Sequence, residues 1–226
     1  MKYFRRSLVA GAVVALCSTA AHAEFSANIG AASNYLWRGV SQTDDGAAIS
    51  GGLDYAHESG FYLGTWASNI EGDTGGAYEL DLYGGFGGEF SDLGYDLGFI
   101  YYAYPDDDTD DWDFYELYGS LSWQWISGGL AYTLGGDADD DAPFSDGDIY
   151  YWGSLSFDVA EDWTIGATIG HYDFDASGDF DYTHYQGDIT KSAGDFGDFT
   201  FTVSGADESD IASDDTKVVV SWAKSF

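Results

Sequence analysis

The sequence predicts an all-β fold: an antiparallel transmembrane β-barrel of about twelve strands behind a cleaved signal peptide. The first observation behind this is a two-beat rhythm of connections. Segments crowded with Asp and Gly fall at every second junction between aromatic, alternating stretches, at 41–46, 70–76, 105–111, 135–148, 173–181 and 206–215. The junctions between them, near 57–60, 87–92, 127–129, 158–162 and 191–197, are short and much less charged. Barrel hairpins that alternate long outer loops with tight periplasmic turns produce this pattern, and it sets the orientation, with both chain ends in the periplasm. The second observation is period-two alternation, because a barrel wall meets lipid on one side and the lumen on the other. The third is length: the 203 residues after position 23 match about twelve strands of ~10 residues with their loops and turns.

The first 23 residues read as an export signal. Lys2, Arg5 and Arg6 form a basic start, 8–16 an apolar core, and Ala21-His22-Ala23 a small-residue cleavage site before Glu24. The apolar run is shorter than the ~20 residues a spanning helix needs, and no later segment comes closer. Cys17, the only cysteine, lies in this leader, so the mature chain, 24–226, is expected to carry no thiol and no disulfide.

Strands are expected at 25–39, 47–57, 60–69, 77–87, 92–103, 112–126, 128–135, 148–159, 163–172, 180–190, 197–206 and 216–226. The alternation is clearest where Tyr78, Leu80, Leu82, Gly84 and Phe86 oppose Glu79, Asp81, Tyr83 and Gly85. It is as clear where Tyr151, Gly153, Leu155 and Phe157 oppose Tyr150, Trp152, Ser154 and Ser156. Phe61 to Asn69 carries large residues in both registers. Aromatic residues gather near strand ends: Tyr101, Tyr102, Tyr104, Trp112, Tyr115, Tyr150, Tyr151 and Trp152 toward the long loops, Trp123, Trp125 and Trp163 toward the short turns. Two such belts suit the two headgroup regions of a bilayer. A soluble β-sandwich fits less well, because lysine and proline, which blunt soluble sheet edges, are scarce. Pro105 and Pro143 both sit in acidic clusters, where a missing backbone donor harms no ladder.

Charge narrows the function. Three of the seven basic residues lie in the leader and all 40 acidic ones after it, so four against 40 leaves the mature chain at −36. Such a field repels phosphate, which excludes nucleic acid as a partner, and favours cations. The polar registers direct Asp54, Glu79, Asp81, Asp96, Glu116 and Asp188 toward the lumen, where carboxylates favour cation entry. Arg38, the only mature arginine, sits where the first strand meets the first outer loop. Its guanidinium is expected to face acids such as Asp54, Glu79 or Asp81, either as a charge-selecting constriction or as a structural ion pair. Asp106, Asp107, Asp108, Asp139, Asp140 and Asp141 offer oxygen donors for weak calcium or magnesium binding, but without the ligand order of a calcium loop. Solvated loops are the simpler expectation there. His57, His171 and His184 fall in no serine-hydrolase or zinc motif, so no enzyme and no cofactor is expected.

The closing segment, with Trp222 and the terminal Phe226, resembles the signal read by the barrel-assembly machinery, with Lys224 as a departure. Ser33-Asn34-Tyr35-Leu36-Trp37-Arg38-Gly39-Val40-Ser41-Gln42-Thr43 resembles the opening motif of the TorF family of outer-membrane porins. Gly51 to His57, Ser59 to Asn69, Glu79 to Gly85, Phe196 to Thr200 and Ser225-Phe226 are similar to that family in the same order. The resemblance implies a lipid-embedded barrel that passes small solutes or cations. The competing expectation is a non-conducting surface barrel whose acidic outer loops bind cations or partners.

Overall fold

The computed structural model describes residues 23–71, 76–105, 112–139 and 142–226. Most of the expected leader, including Ala21, therefore lies outside the described residues. Ala23 is exposed, one residue before the first strand.

Twelve antiparallel strands close into one barrel. They are β1 (Glu24–Ala32), β2 (Ala48–Ala56), β3 (Phe61–Asn69), β4 (Tyr78–Phe90), β5 (Leu93–Ala103), β6 (Phe114–Trp123), β7 (Ile126–Gly136), β8 (Ile149–Ala160), β9 (Trp163–Asp173), β10 (Tyr182–Ser192), β11 (Asp198–Ala206) and β12 (Lys217–Ser225). Each pairs with its sequence neighbours, and β1 also pairs with β12, so no edge is left open. The terminal Phe226 completes the seam by exchanging backbone hydrogen bonds with Ala27 (2.8 and 3.2 Å).

The connections alternate as the sequence predicts, although the turn expected at 127–129 falls at 124–125 and 127–129 lie within β7. Two-residue turns join β4 to β5, β6 to β7 and β8 to β9, and Ser91 and Gln124 take positive φ in the first two of them. At the β2–β3 turn Gly60 has φ +94°, and a Cβ there would lie 2.3 Å from the Gly87 carbonyl oxygen, so only glycine fits. Long loops crowd the other end of the barrel.

Burial follows the two registers. The outward set is apolar and exposed, from Leu53, Leu63 and Leu82 through Leu97, Leu117, Leu121 and Leu130 to Ile169, Phe201 and Val220. A continuous greasy band of this size has no place on a soluble monomer and fits a lipid-facing wall. No helix among the described residues is long and apolar enough to cross a membrane.

The inward set is Ser, Thr, Gly, Tyr and carboxylate. Several tyrosine rings lie flat against the wall over a glycine of the adjacent strand. Cβ atoms at Gly64, Gly85 and Gly98 would sit 2.2–2.4 Å from Tyr83, Tyr62 and Tyr118. The cross-strand pairs Gly64↔Tyr83, Tyr62↔Gly85 and Gly98↔Tyr118 account for this, because a ring can cover the backbone only where the opposite residue has no side chain.

Two expectations change. The first strand ends at Ala32 rather than at residue 39, and the following segment turns into the barrel. The aromatic belt near the long loops is also thinner than expected. Tyr102 and Tyr150 are buried inside the barrel, and Trp152 shares the inward register of Tyr150, whereas Tyr151, Trp123, Trp125 and Trp163 face outward.

Candidate functional site

The loop between β1 and β2 contains its own hairpin, in which Leu36–Trp37 pairs with Val40–Ser41. Its two-residue tip is Arg38-Gly39, with φ +49° and +88°. Positive φ at both central residues matches the twist of a tight hairpin, at some strain for the arginine. The base of the loop is knotted by hydrogen bonds: Tyr35 N donates to Thr43 Oγ1 (3.1 Å), Ser41 Oγ to Asn34 Oδ1 (2.7 Å) and Asn34 Nδ2 to Asp45 Oδ1 (2.7 Å). Lys217 of β12 pins the same base through an ion pair with Asp45 (2.7 Å).

From that base the hairpin crosses the lumen. On the near side the Tyr35 hydroxyl donates to Glu79 of β4 (3.0 Å), and its ring meets Trp66 of β3 edge-on. At the far side Gly39 abuts β10, where a Cβ would lie 2.5 Å from the Cβ of His184. Trp37 packs between Tyr102, Phe114 and Tyr172 of the wall and Phe144 of the β7–β8 loop, with ring centroids 5.7–6.1 Å apart. Phe174 and Tyr182 extend this cluster toward the β9–β10 loop. The barrel is therefore constricted by a buried aromatic plug at its long-loop end.

Arg38 carries the charge of the plug. Its two terminal nitrogens donate to the two oxygens of Glu116 on β6, at 2.8 and 2.5 Å. Tyr102 and Tyr172 each donate a hydroxyl to the same carboxylate at 3.3 Å. The guanidinium carbon lies 4.2 Å from the Tyr150 ring centroid, 4.3 Å from Trp37 and 5.0 Å from Tyr172. The pair is almost sealed, with side-chain exposures of 8% for Arg38 and 1% for Glu116. A register shift between Tyr115 and Glu116, opposite Gly135, marks a bulge beside this carboxylate. Bulges re-aim side chains, and this one sits where the wall must present Glu116 to the loop.

The partner of Arg38 corrects the expectation of Asp54, Glu79 or Asp81. The hairpin reaches across the bore, so its tip meets β6, while its base lies near β3 and β4.

Of the other lumenal carboxylates, Asp54, Glu79, Asp96 and Asp188 accept from neutral donors. Asp54 accepts from the Tyr83 hydroxyl (2.5 Å) and Asn28 Nδ2 (3.4 Å). Asp96 accepts from Tyr62 (2.8 Å), whose hydroxyl also lies 2.5 Å from that of Tyr118. Asp188 accepts from Thr202 (2.6 Å) and Gln186 (3.0 Å). Asp81 leaves Oδ1 buried without a partner, and Asp96 leaves Oδ2 so. Among the described residues, Glu116 alone of the six carboxylates is ion-paired. Inside the barrel Asp54, Trp66, Asp96, Trp152 and Gln186 stay partly accessible, whereas Glu79, Asp81 and Asp188 are buried, and the lining is negative.

The remaining candidates lie elsewhere. Trp222 donates Nε1 to the Phe196 carbonyl (2.6 Å) at the short-turn end, and Phe226 is exposed beside the Lys224 ammonium, 4.9 Å from its ring. Asp106, Asp107, Asp108, Asp140 and Asp141 are outside the described residues. Asp139 is described, and no cluster of three or more potential metal ligands occurs among the described residues.

Sequence reasoning missed the inward hairpin. Its signal was the apolar pair Leu36-Trp37 and Val40 flanking Arg38-Gly39, a short hairpin pattern embedded in what looked like a strand end.

Comparison with known proteins adds the fold's relatives. No curated protein matches the chain. Among solved structures, the KdgM porin in complex with disordered oligogalacturonate superposes with a TM-score of 0.60 at 12% identity, over 89% of this chain and 99% of that one. The NanC porin gives 0.54 at 11% identity, over 88% and 98%. The barrel architecture is thus that of outer-membrane porins. The model of one family, described as a bacterial protein of unknown function (Gcw_chp), matches residues 17–222, and the chain belongs to that family.

Proposed function

We propose that this protein is an outer-membrane porin through which small solutes diffuse passively, with a preference for cations, past a constriction formed by the β1–β2 loop. One observation carries the reading: a closed barrel with an apolar exterior holds five inward carboxylates without an ion-pair partner. A hydrated lumen is the economical state for such groups, since burying unpaired charge in a dry interior is costly. Carboxylates lining a wet bore raise the local cation concentration and slow anions. The structural likeness to KdgM and NanC and the motif resemblance to TorF porins support transport as the class. The KdgM structure holds a polyanion, oligogalacturonate. The bore described here is negative, like that polyanion, and would repel it, so its solutes are cations and small neutral molecules rather than acidic saccharides.

Export follows from the leader at 1–23, with cleavage after Ala23. Trp222 and Phe226 at the β12 seam fit recognition by the barrel-assembly machinery. Asp54, Glu79, Asp81, Asp96 and Asp188 set the selectivity of the bore, and Arg38 with Glu116 its narrowest point.

Osmotic swelling of proteoliposomes tests this. Swelling is expected to be faster with a small cationic solute than with an anionic one of equal size. Equal rates would remove the selectivity. The aromatic plug itself favours a second reading, a closed surface barrel, and no swelling with any solute would establish it in place of the porin.

A further inference from the structure

Apart from Trp37 of the hairpin itself, the groups that hold Arg38 belong to the wall. Glu116, Tyr150, Tyr172 and Tyr102 come from β6, β8, β9 and β5, so the receptor persists when the hairpin tip moves away. It is built for a planar cation. The carboxylate accepts two parallel N–H bonds, at 2.8 and 2.5 Å, which suits a guanidinium fork and not a tetrahedral ammonium. Tyr150 and Tyr172 cover its faces with their rings. The Tyr102 and Tyr172 hydroxyls donate to the same carboxylate from the wall, independently of the loop. Arg38 reaches this cage on a two-residue turn with positive φ, while the loop is fastened at its base by Asn34, Thr43, Asp45 and Lys217. The tip is therefore a tethered ligand at the end of a fixed stem.

We propose that this cage is a binding site for free guanidinium-bearing cations, such as guanidinium itself or an arginine-like solute, which compete with Arg38 and release the hairpin tip from the constriction. The proposal rests on the porin reading for its consequence in flux but not for binding. Direct binding and current are therefore measured separately.

Calorimetric titration of the detergent-solubilised barrel with methylguanidinium, at millimolar concentrations far below denaturing ones, reads the site. Arg38→Ala is expected to bind it at least tenfold more tightly than methylammonium or tetramethylammonium, and at least tenfold more tightly than the wild type does, whose cage is filled. Adding Glu116→Gln is expected to abolish the preference. Equal binding of the three cations, or unchanged binding in the double variant, would overturn the proposal. If Arg38→Ala does not fold, Arg38→Lys keeps the charge but loses the fork. Methylguanidinium is then expected to displace Lys at a concentration at least tenfold below that needed in the wild type, and equal concentrations would overturn it. In bilayers, methylguanidinium is expected to raise the current of wild-type channels as it displaces the tip and to bring no such rise in Arg38→Ala, and an unchanged current through conducting wild-type channels would overturn the release. A total absence of current in every variant would count against the porin reading and leave the calorimetric outcome to decide the site.

Discussion

Among the described residues, Arg38 and Glu116 form the only ion pair in the plug, and their environment decides what each is worth. A buried pair contributes little net stability when intact, because desolvating two charges offsets their attraction, but losing one partner strands the other in a poorly solvated site. Glu116→Gln is therefore expected to destabilise the barrel or at least its plug by about 3–5 kcal/mol. The readout is urea unfolding in lipid vesicles, with protease digestion of the loop reporting the plug alone. A variant as stable as the wild type by both measures would mean that water reaches Arg38. Among the neutral neighbours, His184 bonds the Tyr150 hydroxyl through Nε2 (2.8 Å) and stacks on its ring, which holds one wall of the guanidinium cage.

At the scale of elements, the strand pairs β3–β4 and β5–β6 depend on glycine facing tyrosine. At Gly64 a methyl group would overlap the Tyr83 ring, whose hydroxyl is held by Asp54. Gly64→Ala is expected to cost about 1–3 kcal/mol as overpacking, whereas Gly187→Ala, which has open space around it, serves as a near-neutral control in the same unfolding assay. Equal stabilities for the two variants would show that the ring moves freely.

The loops carry a pH dependence of their own. Burial pushes the carboxyl of Asp148, just before β8, up to about 6, although the backbone N–H groups of Phe144 and Asp175 donate to it (2.6 and 2.8 Å). A carboxyl raised in the folded state stabilises that state in its protonated form. Its contribution is complete below about pH 4 and is lost as pH rises through about 6. The β7–β8 and β9–β10 loops, which Asp148 ties together, are expected to resist protease better at pH 5 than at pH 7.5. Asp148→Asn should flatten that difference, and an unchanged pH profile in the variant would assign it to general charge repulsion among the other loop acids.

Across the whole molecule, the barrel was written plainly in the sequence, because the lipid-facing and lumen-facing registers must differ in polarity along every strand. Leu97 against Asp96 and Leu82 against Asp81 announce their faces without any tertiary information. Turn chemistry and acidic loops then pointed to about twelve strands, and the barrel has twelve. The plug was hidden for the opposite reason. Trp37, Tyr102, Phe114 and Tyr172 meet across the bore from separate strands and a loop, and no local period records such a meeting. The same aromatic residues read equally well as a lipid belt until the register of each was known. The partner of Arg38 was illegible likewise: it depends on how far a loop reaches inward, not on which residues flank it.

A cation-favouring aqueous bore through this barrel is tested most directly by the reversal potential of single channels in a planar bilayer under a potassium chloride gradient. Stepwise currents that reverse on the cation-selective side are expected, with the preference weakening as Asp54, Asp96 and Asp188 are replaced by asparagine. An anion-selective reversal, or a silent bilayer loaded with folded barrels, would contradict it.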